Sequence, residues 1–373
     1  MSKQVNRVAR AGVALATFAV VTACGSATTT GTSSGVNAAT ATSETTFGGL
    51  NALIATAKKE GQLNVIALPP DWANYGAIIS GFTAKYGIKV NSANPNGSSQ
   101  DEVNAVRSQG GTNRAPDVLD IGMAVALANT SLFAPYEVSE WNDIPASQKD
   151  AGGLWYQDYG GYMSIGYDSS KFTITSVQDL LKPTFKGAVA LNGDPTKANA
   201  ALNGVMMASL ANGGSLDNIA PGVAFFHKLN QLGNFVPIQA TTATVKNGTT
   251  PVVFDWDYLS AAHGTDVPTW KVFVPPNAVL GGYYAQAISK TAPDPAAARL
   301  WEEYLYSAAG QNLWLQGGAR PVEMTALTTA GTLNQTYAAA LPPVGGTPVF
   351  LSPSQATTAA TYLDSNWAQA IGS

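Results

Sequence analysis

The sequence predicts an α/β fold with parallel sheets arranged in two lobes, and three observations predict it. Apolar runs of strand length alternate with helix-spaced apolar positions over residues 63–121, and a second series of the same kind covers residues 161–288, beyond a loop-rich stretch from Thr130 to Gly153. The composition is 45% hydrophobic and 12% charged, with 37 Gly and 21 Pro in 373 residues, which suits a turn-rich globular chain and neither a coiled coil nor a disordered one. Two α/β units fit a chain of this length better than one oversized sheet.

Lys3, Arg7 and Arg10 precede an apolar run from Ala11 to Ala23 that is too short to span a bilayer, so residues 1–23 read as a secretory signal. The signal ends in Val21-Thr22-Ala23-Cys24, which resembles the processing site of a bacterial lipoprotein, with Cys24 as the acylated first residue of the mature chain. From Gly25 to Thr46, 12 of 22 residues are Ser or Thr, and residues 24–46 are expected to form a flexible tether.

Order is expected from about residue 47. Leu50, Leu53, Ile54 and Ala57 recur at helical spacing up to Lys58-Lys59-Glu60-Gly61, a helix end. Leu63 to Leu68 reads as a buried parallel strand. Tyr75, Ile78, Ile79, Phe82 and Tyr86 mark one face of a helix that stops at Gly87, Ile88 to Val90 is a second strand, Ser99 to Gln109 a helix and Asp117 to Ile121 a third strand. In the second series Gly161–Tyr167, Gly187–Leu191, Thr250–Phe254, Trp270–Val274 and Tyr283–Ile288 read as strands, with helices over Ala198–Ala211 and Val223–Leu232. Helices over Pro295–Ser307 and within Ser354–Ile371 complete the chain.

Known signatures of catalysis are missing: no Gly-x-Ser-x-Gly, no phosphate loop, no His-Glu-x-x-His and no Gly-x-Gly-x-x-Gly. One cysteine and two histidines leave no zinc site of Cys and His ligands, and a net charge of -4 removes the basic footprint of a nucleic-acid binder. His227 reads as a packed or surface residue and His263 as a helix-end cap.

Several segments carry a family resemblance. Leu68-Pro69-Pro70-Asp71-Trp72-Ala73-Asn74-Tyr75-Gly76 and Phe82-Thr83-Ala84-Lys85-Tyr86-Gly87-Ile88-Lys89-Val90 resemble the opening of bacterial extracellular solute-binding proteins of ABC importers, in the group of polyamine and ferric-iron binders. Ala115-Pro116-Asp117-Val118 is similar to their third-strand motif, Gly161–Tyr167 to the strand crossing between lobes, Ala285–Ser289 to the return crossing, and Gly317–Val322 to a late turn. The resemblance implies a type II periplasmic-binding-protein fold with two hinge-crossing strands: lobe 1 from residues 47–160 plus 283–325, and lobe 2 from residues 161–282 plus 326–373. It also implies a monomer that needs no cofactor or resident metal, held at the cell membrane by its lipid, which passes a solute to a permease.

Ligands of open parallel sheets sit beyond the C-terminal ends of the strands, which selects Asp71, Trp72 and Asn74, then Ser99, then Asp194, then Asp255, Trp256 and Asp257, with Tyr283 and Tyr284 opening the return crossing. Carboxylates with indole and phenol faces suit an organic cation, so a polyamine or similar solute is expected. Each residue has a plainer use: Asp71, Asp194 and Ser99 as helix caps, Asp257 as a helix-start charge, Trp256 as core. Two departures bear on the cargo. Lys197 stands where polyamine binders carry a second acid, and Asp257-Tyr258 stands where ferric binders carry adjacent tyrosines. Ferric iron or an anionic solute are the alternative ligands, and a secreted carboxylate-dependent hydrolase or an adhesion lipoprotein the alternative functions.

Overall fold

The computed structural model describes residues 36–342 and 344–372. The expected signal and Cys24 lie outside the described residues.

Helix α1 (Leu50–Glu60) buries Leu53 and Ala57 and ends where Gly61 takes a left-handed turn at φ 79°. Strand β1 (Gln62–Ile66), helix α2 (Tyr75–Tyr86) and strand β2 (Lys89–Ala93) follow, with β1 and β2 paired in parallel. Burial of Tyr75, Ile78, Phe82 and Tyr86 gives α2 one apolar stripe, the face its spacing predicts. Helix α3 (Ser99–Gln109) starts in a capping box, with Ser98 and Asp101 satisfying each other's backbone N–H. Strand β3 (Val118–Gly122), helix α4 (Met123–Ala128) and the short strand β4 (Phe133–Ala134) complete this run.

The long strand β5 (Tyr156–Asp168) leads into a second half: β6 (Val189–Leu191), α5 (Asn199–Ala211), α6 (Ala220–Gln231), β7 (Phe235–Gln239), α7 (Thr242–Lys246), β8 (Val252–Trp256), α8 (Asp257–Ala262) and β9 (Trp270–Phe273). Strand β6 pairs in parallel with β7 and β8, and β5 runs antiparallel to β8 and β9. Strand β10 (Leu280–Ser289) returns antiparallel to both β3 and β5, so β5 and β10 are the two strands shared between the halves. Their backbones meet closely where they cross. A Cβ on Gly160 would lie 2.1 Å from the carbonyl oxygen of Gly282, so no side chain is tolerated there.

The chain ends with α9 (Pro295–Leu305), α10 (Ala308–Gln316), β11 (Arg320–Pro321), α11 (Met324–Ala330), α12 (Gln335–Ala339), β12 (Val349–Phe350) and α13 (Pro353–Ile371). Helix α13 packs on α6, with Trp367 against Phe226 at 5.6 Å between ring centroids and Asn230 donating to the Ile371 carbonyl.

Two expectations need correction. The tether does not extend to residue 46: residues 38–40 and 44–47 form short 3-10 turns, and Ala41 is fully buried. Arg299 holds the first part, its buried guanidinium donating to the carbonyls of Ala41 at 2.7 Å and Ala39 at 3.0 Å, and Glu137 holds the next, its N–H donating to the Thr42 carbonyl at 2.8 Å. The second correction concerns residues 326–341, expected in lobe 2. Leu327 and Leu333 pack against Leu315 of α10, and Asn312 donates to the Thr332 carbonyl, so α11 and α12 sit with the first half.

Candidate functional site

A cleft of about 770 Å³ opens between the two halves. The first half lines it with the segment after β1, the start of α3 and Asp120 of β3. Across from these lie the segment after β6, the starts of α5 and α7, Asp255 of β8 and the turn after α8. The segments after β1 and β6 follow the C-terminal ends of parallel strands, where backbone carbonyls and helix starts leave room for a ligand.

The segment after β1 is held in an uncommon backbone conformation. Ala67, Ala73 and Asn74 have φ values of 57°, 44° and 70°, each unfavourable by about 1–3 kcal/mol unless neighbours impose it. The constraint is visible at Asn74, whose side chain donates to the Leu313 carbonyl at 2.9 Å. That contact removes Asn74 from the expected ligand set: its amide fastens the segment to α10 and does not line the cleft.

Asp71 and Trp72 lie on the cleft wall, as do Ser99, Asp194, Asp255 and Tyr284. Asp71 accepts from Thr242 Oγ1 at 2.8 Å across the cleft. Trp72 donates its indole N–H to the Tyr159 hydroxyl at 2.7 Å and meets Tyr284 edge-on at 5.7 Å. Ser99 is no cap; its hydroxyl accepts from the Gly122 N–H at 3.1 Å. Asp194 Oδ1 accepts from the Thr196 N–H and hydroxyl, closing a turn, while Lys197 sits 3.4 Å from its Oδ2 with both side chains well exposed.

Three further candidates stand elsewhere. Trp256 is fully buried in the core with its ring near Tyr284, because it follows Asp255 on β8 and neighbouring strand residues face opposite sides. Asp257 is fully buried and pairs with Arg320 at 2.7 Å, while its other oxygen accepts from the N–H of Tyr162 and Tyr258. Tyr283 is separated from Tyr284 by the same alternation and stacks on Phe350 of β12, outside the cleft lining. His263 lines the cleft beside Trp270, with burial holding its pKa below the usual value.

Two residues of the site escaped sequence reasoning. Glu102 and Asp120 line the cleft at 1% and 7% exposure, and with Asp255 at 3% they form an acidic floor. Burial pushes Asp120 and Asp255 up to about 7 and raises Glu102 well above the carboxylate range. Glu102 Oε2 accepts the Asp120 N–H at 3.0 Å, and Asp255 accepts from Asn192 Nδ2 at 2.9 Å and the Trp256 N–H at 2.8 Å. Among the described residues none of the three forms an ion pair with a basic side chain. Buried without a basic partner, these carboxyl groups are held toward their neutral form.

A family model described as bacterial extracellular solute-binding protein matches residues 116–341. The chain belongs to this family. Its members bind small solutes and deliver them to ABC permeases, which places this solute-binding protein outside the cytoplasm. Solved structures agree on a two-lobed fold. A chain described as a spermidine/putrescine ABC transporter from Listeria monocytogenes shares 12% identity at a TM-score of 0.64, covering 83% of this chain and 98% of that one. Iron-bound HitA from Pseudomonas aeruginosa gives 17% identity and a TM-score of 0.62, with 84% and 99% covered. AfuA from Actinobacillus pleuropneumoniae, with fructose-6-phosphate bound, gives 15% identity and a TM-score of 0.66 over 84% and 99%. No curated protein sequence matches the solute-binding protein.

Proposed function

We propose that this solute-binding protein is a lipid-anchored, monomeric receptor of an ABC importer and that its cargo is a small organic cation of the polyamine type. The observation that carries the cargo assignment is the buried floor of Glu102, Asp120 and Asp255, to which the aromatic faces of Trp72 and Tyr284 add. The rim acids are balanced in part, Asp194 by Lys197 and Asp266 by Lys246, whereas the floor is not. Lys197, which stands where polyamine binders carry a second acid, is 60% exposed and lies 3.4 Å from Asp194, so its charge is directed to that rim acid. Ferric iron is less well served, because Tyr283 and Tyr284 face opposite sides of β10.

The halves act as lobes hinged at β5 and β10. Contacts from both sides favour the closed state that a permease recognises, and no chemistry on the cargo is required. A thermal-shift screen of polyamines, ferric complexes, sugar phosphates and amino acids tests the cargo: amines are expected to raise Tm in proportion to the logarithm of their concentration. Stabilisation by a sugar phosphate or ferric complex alone would overturn it. Anchoring at Cys24 is tested separately by detergent partitioning of Cys24→Ala, which is expected to leave the membrane fraction or remain unprocessed.

A further inference from the structure

We propose that Asp120 is the seat for one charged end of the cargo and that it selects a protonated primary amine over a guanidinium or a quaternary ammonium. The inference rests on the cationic cargo and narrows its chemistry. Asp120 lines the cleft, and its two oxygens are used unequally. Oδ2 accepts from the Tyr75 hydroxyl at 2.6 Å and the Tyr159 hydroxyl at 2.9 Å. Oδ1 is buried and has no hydrogen-bond partner.

The direction of both tyrosine bonds is set from behind. Gln286 Nε2 donates to the Tyr75 oxygen at 3.2 Å and Trp72 Nε1 donates to the Tyr159 oxygen at 2.7 Å. Each hydroxyl therefore spends its own proton on Asp120. Gln286 is fixed in turn by donating to Asp158 Oδ2 at 2.8 Å, so it cannot turn its oxygen to Tyr75 without losing that bond. Oδ2 is a filled acceptor, and only Oδ1 is left for a guest.

A guanidinium recognises a carboxylate through two parallel N–H bonds, one to each oxygen, and the tyrosines block one of them. An ammonium is a compact point donor and needs a single oxygen. A quaternary ammonium has no N–H, so it would leave Oδ1 buried and unsatisfied. Tyr284, stacked on Tyr159 at 5.7 Å, adds an aromatic face beside the seat without competing for its donors.

Isothermal titration of the full chain with putrescine, its diguanidino analogue arcaine and its permethylated bis-quaternary analogue tests the inference. Putrescine is expected to bind at least about tenfold tighter than either analogue, the value of one charge-assisted hydrogen bond. Asp120→Asn is expected to abolish that preference, and Tyr75→Phe, which removes one of the two hydroxyls on Oδ2 and leaves that of Tyr159, to narrow the gap between putrescine and arcaine. Equal or tighter binding of arcaine by the wild type, or unchanged putrescine affinity in a folded Asp120→Asn variant, overturns the seat while leaving a cationic cargo standing. Binding of fructose 6-phosphate with none of the three cations bound overturns the cationic cargo and the seat together.

Discussion

Thr242 donates its hydroxyl to Asp71 at 2.8 Å across the mouth of the cleft, tying the segment after β1 to the first residue of α7. It joins the two halves across the cleft. Thr242→Val removes the donor without changing the volume, and a hydrogen bond of this kind is worth about 0.5–1.5 kcal/mol. The ligand-free protein is then expected to open, with a larger radius of gyration by small-angle scattering than wild type. Identical scattering curves would show that the contact does not bias closure.

Asp257 braces β5 and lies outside the cleft lining. Its carboxylate bridges Arg320 and the backbone of β5 at Tyr162, and the Arg320 guanidinium lies over the Tyr162 ring at 4.6 Å. Removing one partner of a buried ion pair strands the other, so Asp257→Ala is expected to cost about 3–5 kcal/mol in denaturant unfolding. Cargo affinity measured on the folded fraction is expected to stay within about twofold, because Asp257 does not line the cleft. A large loss of affinity with normal stability would return Asp257 to the binding site.

The acidic floor makes stability depend on pH in a definite direction. Burial pushes Asp255 up to about 7 and raises Asp120 in the same direction, against roughly 4 in an unfolded chain. Between those values the folded protein holds more protons than the unfolded chain, so stability falls as pH rises and the loss is complete above the folded value. The ligand-free Tm is expected to decline from about pH 5 to about pH 8, and less steeply in Asp255→Asn. A bound cation should reverse the trend, stabilising more at the higher pH. A Tm that rises over this interval without ligand would contradict the assignment.

Arg299 is the reason residues 36–41 are part of the fold. Deleting them from a chain that begins at residue 36 takes away the carbonyls of Ala39 and Ala41 and leaves the guanidinium its bond to Pro295 at 2.9 Å. Unsatisfied buried donors cost about 1–3 kcal/mol each, so the denaturation midpoint is expected to fall. An unchanged midpoint would show that the segment contributes nothing.

Much of the fold was legible because it depends on local periodicity. The stripe of Tyr75, Ile78, Phe82 and Tyr86 and the all-buried run of β8 are readable from spacing alone. The site was legible only at strand ends. Asp120 was missed because it lies inside β3, between Leu119 and Ile121, whereas candidates were sought after the strands. An acid within an apolar strand is itself a signal, since such a residue is rarely buried without a purpose. Trp256 and Tyr283 lie off the cleft lining for the opposite reason. Each adjoins a cleft residue in sequence, and alternation along the strand turns it away. Residues 36–46 looked like a tether because their order comes from distant partners: Arg299 holds the carbonyls of Ala39 and Ala41, and Glu137 donates its N–H to the Thr42 carbonyl at 2.8 Å.

The identity of the cargo is the central question, and native mass spectrometry of the solute-binding protein purified without denaturation from its own cells addresses it most directly. A bound small molecule is expected that carries at least one protonated primary amine and neither phosphate nor iron, and that is released when Asp120 and Asp255 are both replaced by Asn. A phosphate ester, a carboxylic acid or ferric iron in the cleft of the wild-type protein would contradict it.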